Sequence, residues 1–114
     1  MKIISDVQNR IQLRRRHLPF IRTLEDRDIV AHIGYYDVIR RAPLTLGSLL
    51  LLDVGPIATV QRRLKNLVAM GVILKRPHSE DRRAITLHLS ANTKRQYQSY
   101  AAALTAISRK NQGM

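Results

Sequence analysis

The segment Gly71–Ser90, GVILKRPHSEDRRAITLHLS, constrains the fold more than any other part of the chain. Its second flank alternates. Ile85, Leu87 and Leu89 fall on one face and Thr86 and His88 on the other, the period-2 mark of a half-buried strand. The first flank, Val72–Leu74, is apolar and ends at Lys75, Arg76 and Pro77. Between the flanks a loop carries Asp81, Arg82 and Arg83 at its tip. Two strands so arranged form a hairpin that buries one face and holds arginines at an exposed end, which suits a narrow anionic groove.

The rest of the chain reads as helices. Residues 2–16 form an amphipathic pattern with Ile3, Ile4, Val7 and Ile11 on one side, ending in Arg14, Arg15, Arg16 and His17, where cations suit a helix C-terminus. That arginine cluster can equally contact phosphate flanks or keep a helix end hydrated. Pro19 breaks the pattern and Thr23 is a natural N-cap, with acidic residues in the turn that follows. The helix it starts should run to about Arg41, with Ile29, Ile33, Tyr36 and Ile39 or Arg40 on its inner stripe. Pro43 ends it. Thr45 can cap a third helix over 46–53, whose consecutive Leu49, Leu50, Leu51 and Leu52 imply burial on more than one side. Gly55-Pro56 makes a sharp junction to a fourth helix, 56–70, closed by Gly71. After the hairpin, Ser90 caps a last helix over 91–110, with Tyr97, Tyr100, Ala101, Leu104 and Ile107 on one stripe.

The expected fold is therefore mainly α with a small β-hairpin: a winged helix-turn-helix with flanking N- and C-terminal helices in a single domain over 1–114. Its parts are N-terminal helices over 1–41, a helix-turn-helix over 44–71, a wing over 72–89 and a C-terminal helix over 91–110. The apolar stripes of the terminal helices point to homodimerisation. A dimer would place two recognition helices about one DNA turn, ~34 Å, apart.

Charge narrows the partner. Twenty Lys and Arg stand against eight Asp and Glu, a net +12, which implies a polyanion such as nucleic acid or an anionic membrane. The excess is segregated. Gly55 to Arg95 carries Arg62, Arg63, Lys65, Lys75, Arg76, Arg82, Arg83, Lys94 and Arg95 against Glu80 and Asp81, whereas Leu24 to Asp37 carries Glu25, Asp26, Asp28 and Asp37 against Arg27. One basic face and one helix that looks elsewhere follow from this.

On the fourth helix Ile57, Val60, Leu64, Leu67 and Val68 keep the core rhythm, which turns Ala58, Thr59, Arg62 and Asn66 outward, with Gln61, Arg63 and Lys65 on the flanks. A helix ~10–12 Å across fits a major groove ~12 Å wide. Small residues at its start permit close approach, Gln and Asn can pair with adenine, and Arg with guanine or phosphate. In the loop, Asp81 can hold the Arg83 guanidinium by a charge-assisted bond and aim it. Lys75, Arg76 and Arg82 would sit near phosphates.

These residues resemble the DNA-binding half of the MarR family of bacterial regulators. The likeness lies in Leu44-Thr45, in Leu64, Leu67 and Gly71 at the close of the fourth helix, and in Glu80-Asp81-Arg82-Arg83 leading into Leu87-His88-Leu89-Ser90. The resemblance implies a dimeric transcriptional regulator of double-stranded DNA, with the recognition helix in the major groove and Arg83, held by Asp81, in the minor groove. It also leaves room for a small-molecule effector of unspecified kind. Where family members usually have Ser or Thr near the start of the recognition helix, this chain has Gly55-Pro56-Ile57.

Other chemistry finds little support. The absence of cysteine excludes disulfides and thiolate metal sites. His17, His32, His78 and His88 lack metal-ligand spacing or a set of carboxylate partners, Ser48, Thr59 and Ser79 have no neighbouring base, and no glycine-rich phosphate loop exists. No enzyme, cofactor or metal is expected. No apolar run approaches ~18 residues and no secretory pattern opens the chain, so a cytoplasmic protein is expected, at the nucleoid if the bacterial resemblance holds. Two rivals share the fold: a sequence-tolerant DNA-binding accessory of replication or partition, and a winged helix used for protein contact.

Overall fold

The computed structural model describes residues 1–78, 80 and 84–112, with side chains to 109. In chain order it has α1 (Lys2–His17), α2 (Leu24–Gly34), a π-helical turn (Tyr35–Ile39), α3 (Leu46–Leu50), α4 (Ile57–Ala69), strands β1 (Ile73–Pro77) and β2 (Ile85–Leu89), and α5 (Ala91–Gln112). The chain is mainly α with a two-stranded antiparallel hairpin, in the winged helix-turn-helix order. It divides into two compact units, Phe20–Thr93 and the pair of terminal segments Met1–Pro19 and Lys94–Met114.

The Phe20–Thr93 unit holds the helix-turn-helix and the wing. Its core joins Ile29, Val30 and Ile33 of α2, Leu49 of α3, Val60, Leu64 and Leu67 of α4, and Ile73, Leu87 and Leu89 of the hairpin, all buried. Each such side chain contributes about 1.5–3 kcal/mol of burial. Local chemistry sets the element ends. Thr23 caps α2 in a reciprocal box, its Oγ1 accepting from Asp26 N at 3.0 Å while the Asp26 carboxylate accepts from Thr23 N at 3.2 Å. Thr45 caps α3 by accepting from Ser48 N at 3.1 Å. At the end of α4, Gly71 takes φ +75°, while Gly71 N donates to Val68 O and Val72 N to Leu67 O, both at 3.0 Å; this is the Schellman closure that a glycine makes without strain.

The hairpin pairs Ile73 with Leu89, Lys75 with Leu87 and Pro77 with Ile85. A further bridge, Thr45 to Thr86, and a bond from Leu87 N to Leu44 O at 2.9 Å tie the start of α3 to β2. Below the hairpin, Ser90 Oγ accepts from Thr93 N at 3.2 Å, capping α5 as the sequence implies, and Thr93 Oγ1 donates to Val72 O at 3.0 Å.

Four expectations need correction. The helix begun at Thr23 does not keep one inner stripe to Arg41: the π turn, closed by Arg40 N to Tyr35 O at 2.9 Å, adds a residue per turn and shifts the phase, so that Ile39 and Arg40 are exposed. The third helix ends at Leu50, and of the four leucines only Leu49 is buried, Leu51 being 85% exposed; five residues cannot present two apolar faces. Ile57 opens α4 at 58% exposure instead of facing the core, because Pro56, expected as the first helical residue, is the N-cap and leaves Ile57 at the helix mouth, above the level of the packed side chains. Thr86 and His88 do not form a solvated strand face. Thr86 is buried and His88 half-buried beneath the π turn.

In the terminal unit, α1 buries none of its residues; Ile3, Ile4 and Val7 are exposed. Tyr97 of α5 is largely buried, and that burial, aided by Tyr100 and opposed by Arg14, pushes its phenol up to about 12. The rings of His17 and Tyr100 lie 6.4 Å apart. Among the described residues no helix is long and apolar enough to cross a membrane.

Candidate nucleic-acid interface

Helix α4 earns its outward face from its own sequence. Val60, Leu64 and Leu67 are spent on the core, and at about 100° per residue the opposite side falls to Ala58, Arg62, Lys65 and Asn66, with Gln61 beside them; all five are exposed. Thr59 is half-buried on the flank. The face therefore combines a small residue near the N-terminus, two amides and two cations.

Arg63 is not part of it. It turns toward α2, where Nε donates to Asp26 Oδ1 and Nη2 to Asp26 Oδ2, both at 2.7 Å. The Arg63 side chain is 15% exposed and that of Asp26 0%. The same carboxylate accepts from Arg22 N at 3.0 Å as well as from Thr23 N, so four donors saturate it. Burial by itself would raise the Asp26 carboxyl; the Arg63 bond and the two backbone donors outweigh it and hold the group below its ordinary 3.8, still ionised. The bond to Asp26 correspondingly raises Arg63. A bidentate pair with both partners withdrawn from water is a fixed joint. Expected on the groove flank, Arg63 is committed to the scaffold instead.

Lys75 and Arg76 are both exposed on β1, and neighbours on a strand point to opposite faces. Lys75 shares the face of its partner Leu87 and Arg76 that of Thr86, so the hairpin does not bring these two cations together. At the wing, His78 N donates to Ala84 O at 2.8 Å and Glu80 N to His78 Nδ1 at 3.1 Å. Asp81, Arg82 and Arg83, the proposed holder and probe, lie outside the described residues.

Beneath the wing is a polar chain that sequence reasoning missed. Asp37, on the π turn, accepts from His88 Nδ1 at 2.9 Å through Oδ1 and from Leu89 N at 3.1 Å through Oδ2. His88 Nε2 lies 2.8 Å from Thr86 Oγ1, and that hydroxyl lies 3.3 Å from Arg76 O. A hydroxyl has one proton. With His88 protonated on both nitrogens, Nε2–H donates to Thr86, which donates on to Arg76 O; with Nε2 bare, the Thr86 hydroxyl donates back to it. Here a histidine expected to lack a carboxylate partner has one. Asp37 and His88 are 51 residues apart, so spacing carried no signal; the only hint was an acid in a histidine-free turn of an acidic helix.

Among the described residues no group of three or more His, Cys, Asp or Glu is placed to hold a metal ion, and no buried side-chain nitrogen or oxygen lacks a partner. The buried polar side chains among the described residues are thus satisfied internally, and the α4 face presents a group of exposed polar side chains on one regular element.

No family model matches the sequence, and no curated protein does. Solved structures do match in shape. The chain is similar to the Staphylococcus aureus MepR–DNA complex at TM-score 0.74 and 15% identity, over 97% of this chain and 86% of that one. It is similar to the transcriptional regulator Tm0710 from Thermotoga maritima at TM-score 0.71 and 21% identity, over 98% and 77%. To wild-type MarR from Escherichia coli in its apo form the TM-score is 0.59 at 20% identity, over 96% and 81%. The fold is that of a MarR-like winged helix.

Proposed function

We propose that this chain is a double-stranded-DNA-binding transcriptional regulator and not an enzyme, working as a homodimer in the cytoplasm. The observation that carries the reading is the exposed face of α4, Ala58, Gln61, Arg62, Lys65 and Asn66, on a helix-turn-helix beside a wing, in a chain of net charge +12. Two supports stand beside it. A neighbour of the same fold, MepR, is described in complex with DNA. The exposed Ile3, Ile4 and Val7 of α1 give a second copy an apolar surface to cover.

In this reading α4 enters the major groove. Arg62 and Asn66 address base edges, Gln61 and Thr59 flank them, and Lys65, Lys75, Arg76 and Arg82 neutralise phosphates. Arg83, aimed by Asp81, probes the minor groove, whose narrow stretches reward a guanidinium. Regulation follows from occupancy of a promoter site by two half-site readers.

Selection of bound duplexes from random DNA tests this directly. A palindrome with half-sites one helical turn apart is the expected product, Arg62→Ala should change its sequence, and Arg83→Ala should weaken binding about tenfold or more without changing it. Equal affinity for unrelated duplexes, with a steep salt dependence, would replace the regulator by a sequence-tolerant accessory. No duplex binding at low salt would favour a protein-contact role.

A further inference from the structure

We infer that Arg63 and Asp26 act together as a positioning pair for sequence discrimination, setting the rotation of α4 about its axis without touching DNA. The inference rests on the reading of α4 as the groove helix and deepens it.

The geometry makes the case in three steps. Asp26 is held independently of Arg63, because it belongs to the capping box of α2 and takes backbone donors from Arg22 and Thr23. Arg63 then meets it with two parallel bonds at 2.7 Å, and a planar fork on a planar carboxylate fixes direction as well as distance. Finally, successive helical residues are about 100° apart, so fixing Arg63 against α2 fixes where Arg62 points and, one turn on, where Asn66 points.

The apolar contacts of α4 do not supply this. Val60, Leu64 and Leu67 hold the helix to the core by burial, which is non-directional, whereas a bidentate pair constrains angle as well as distance. Base reading is sensitive at that scale, since a hydrogen bond to a base edge fails over a fraction of an ångström and phosphate attraction does not. Loss of the pair should therefore separate two quantities that a direct contact would move together: discrimination falls while charge-driven affinity stays.

The experiment uses the full chain and four variants: Arg63→Met, Arg63→Lys, Asp26→Asn and the double Asp26→Leu with Arg63→Met. The double variant replaces the buried pair by apolar side chains, a change that commonly preserves folding, so the test survives if a single variant unfolds. Binding is measured to the site recovered by selection and to a scrambled duplex, across a salt series, with circular dichroism to confirm the fold.

Expected for the double variant is native helicity, scrambled-duplex affinity within about threefold of wild type, an unchanged salt slope and a drop in discrimination of about tenfold or more. Arg63→Lys, which keeps the charge but not the fork, should lose discrimination as well. Wild-type discrimination in the folded double variant would overturn the positioning role alone. A salt slope reduced by about one would overturn it too, by making Arg63 a phosphate contact. Absence of duplex binding by the wild-type chain would overturn both the inference and the DNA-binding reading beneath it.

Discussion

Two carboxylates of one acidic segment hold α4 and the wing, and they hold them differently. At its N-terminal end Asp26 grips α4 through Arg63; at the far end Asp37 grips β2 through His88 and the Leu89 amide. The first joint is between groups charged at every ordinary pH, with the Asp26 carboxylate fully buried and saturated with donors and Arg63 nearly so. The second runs through an imidazole and a hydroxyl, whose protons can be arranged in two ways. Helix α4 is thus fixed rigidly and the wing root by a bond set that can be redistributed. Their common origin shows that the charge segregation of the sequence is structural: the acidic helix does not merely look away from the basic face but anchors it.

Breaking the first joint should have the largest effect. Arg63→Ala leaves an unpaired carboxylate in the interior and should cost about 3–5 kcal/mol in urea unfolding. A loss under 1 kcal/mol would mean that water reaches Asp26. The same joint predicts an acid response. Asp26 sits below its ordinary 3.8 in the folded chain, so the unfolded chain binds more protons, and the stability this gives is full above 3.8 and lost as pH falls through the folded value. Asp26→Asn should flatten the dependence of stability on pH below about 4 relative to wild type; parallel curves would remove Asp26 from the account.

Breaking the second joint should cost less. Asp37→Ala takes an acceptor from the Leu89 amide and from the half-buried His88, neither of which loses a charge partner it cannot shed, at about 1–3 kcal/mol. Equality with Arg63→Ala would erase the contrast drawn between the joints. The smallest expected effect is a coupling. Combining Asp37→Ala with the apolar replacement of Asp26 and Arg63 should give summed losses that agree within about 0.5 kcal/mol, since among the described residues the hydrogen bonds of the two networks have no residue in common. A larger discrepancy would make α2 a transmitter between helix and wing.

Much of this molecule was legible before its structure, for reasons that particular residues make plain. Thr23, Thr45, Ser90 and Gly71 act on backbone groups within a few positions of themselves, so capping chemistry placed the helix ends. The alternation through Leu87 and Leu89 and the rhythm of Val60, Leu64 and Leu67 named the core residues of β2 and α4. What escaped was of two kinds. The pairs that fix the site join residues 37 and 51 positions apart, and helical phase, which puts Arg63 on the flank of α4, does not name Asp26 as its partner. The other misses, Ile39, Leu51 and Ile57, come from extending a regular 3.6-residue period across a π turn or past the true end of a helix.

That π turn has a consequence for how such a chain can change over generations. Gly34 already brings α2 so near β2 that a Cβ there would meet Leu89 Cδ1 at 3.0 Å, and the turn that follows spends one extra residue to swing Asp37 under the strand. Removing Tyr35 or Tyr36 would restore the ordinary helical period ahead of Asp37 and carry it about a quarter turn or more from His88. Insertions and deletions at the start of the chain leave this phase alone, because it is set at the turn itself. The stretch from Tyr35 to Ile39 is therefore a clutch between two frames of packing, and length changes in it ahead of Asp37 should be selected against.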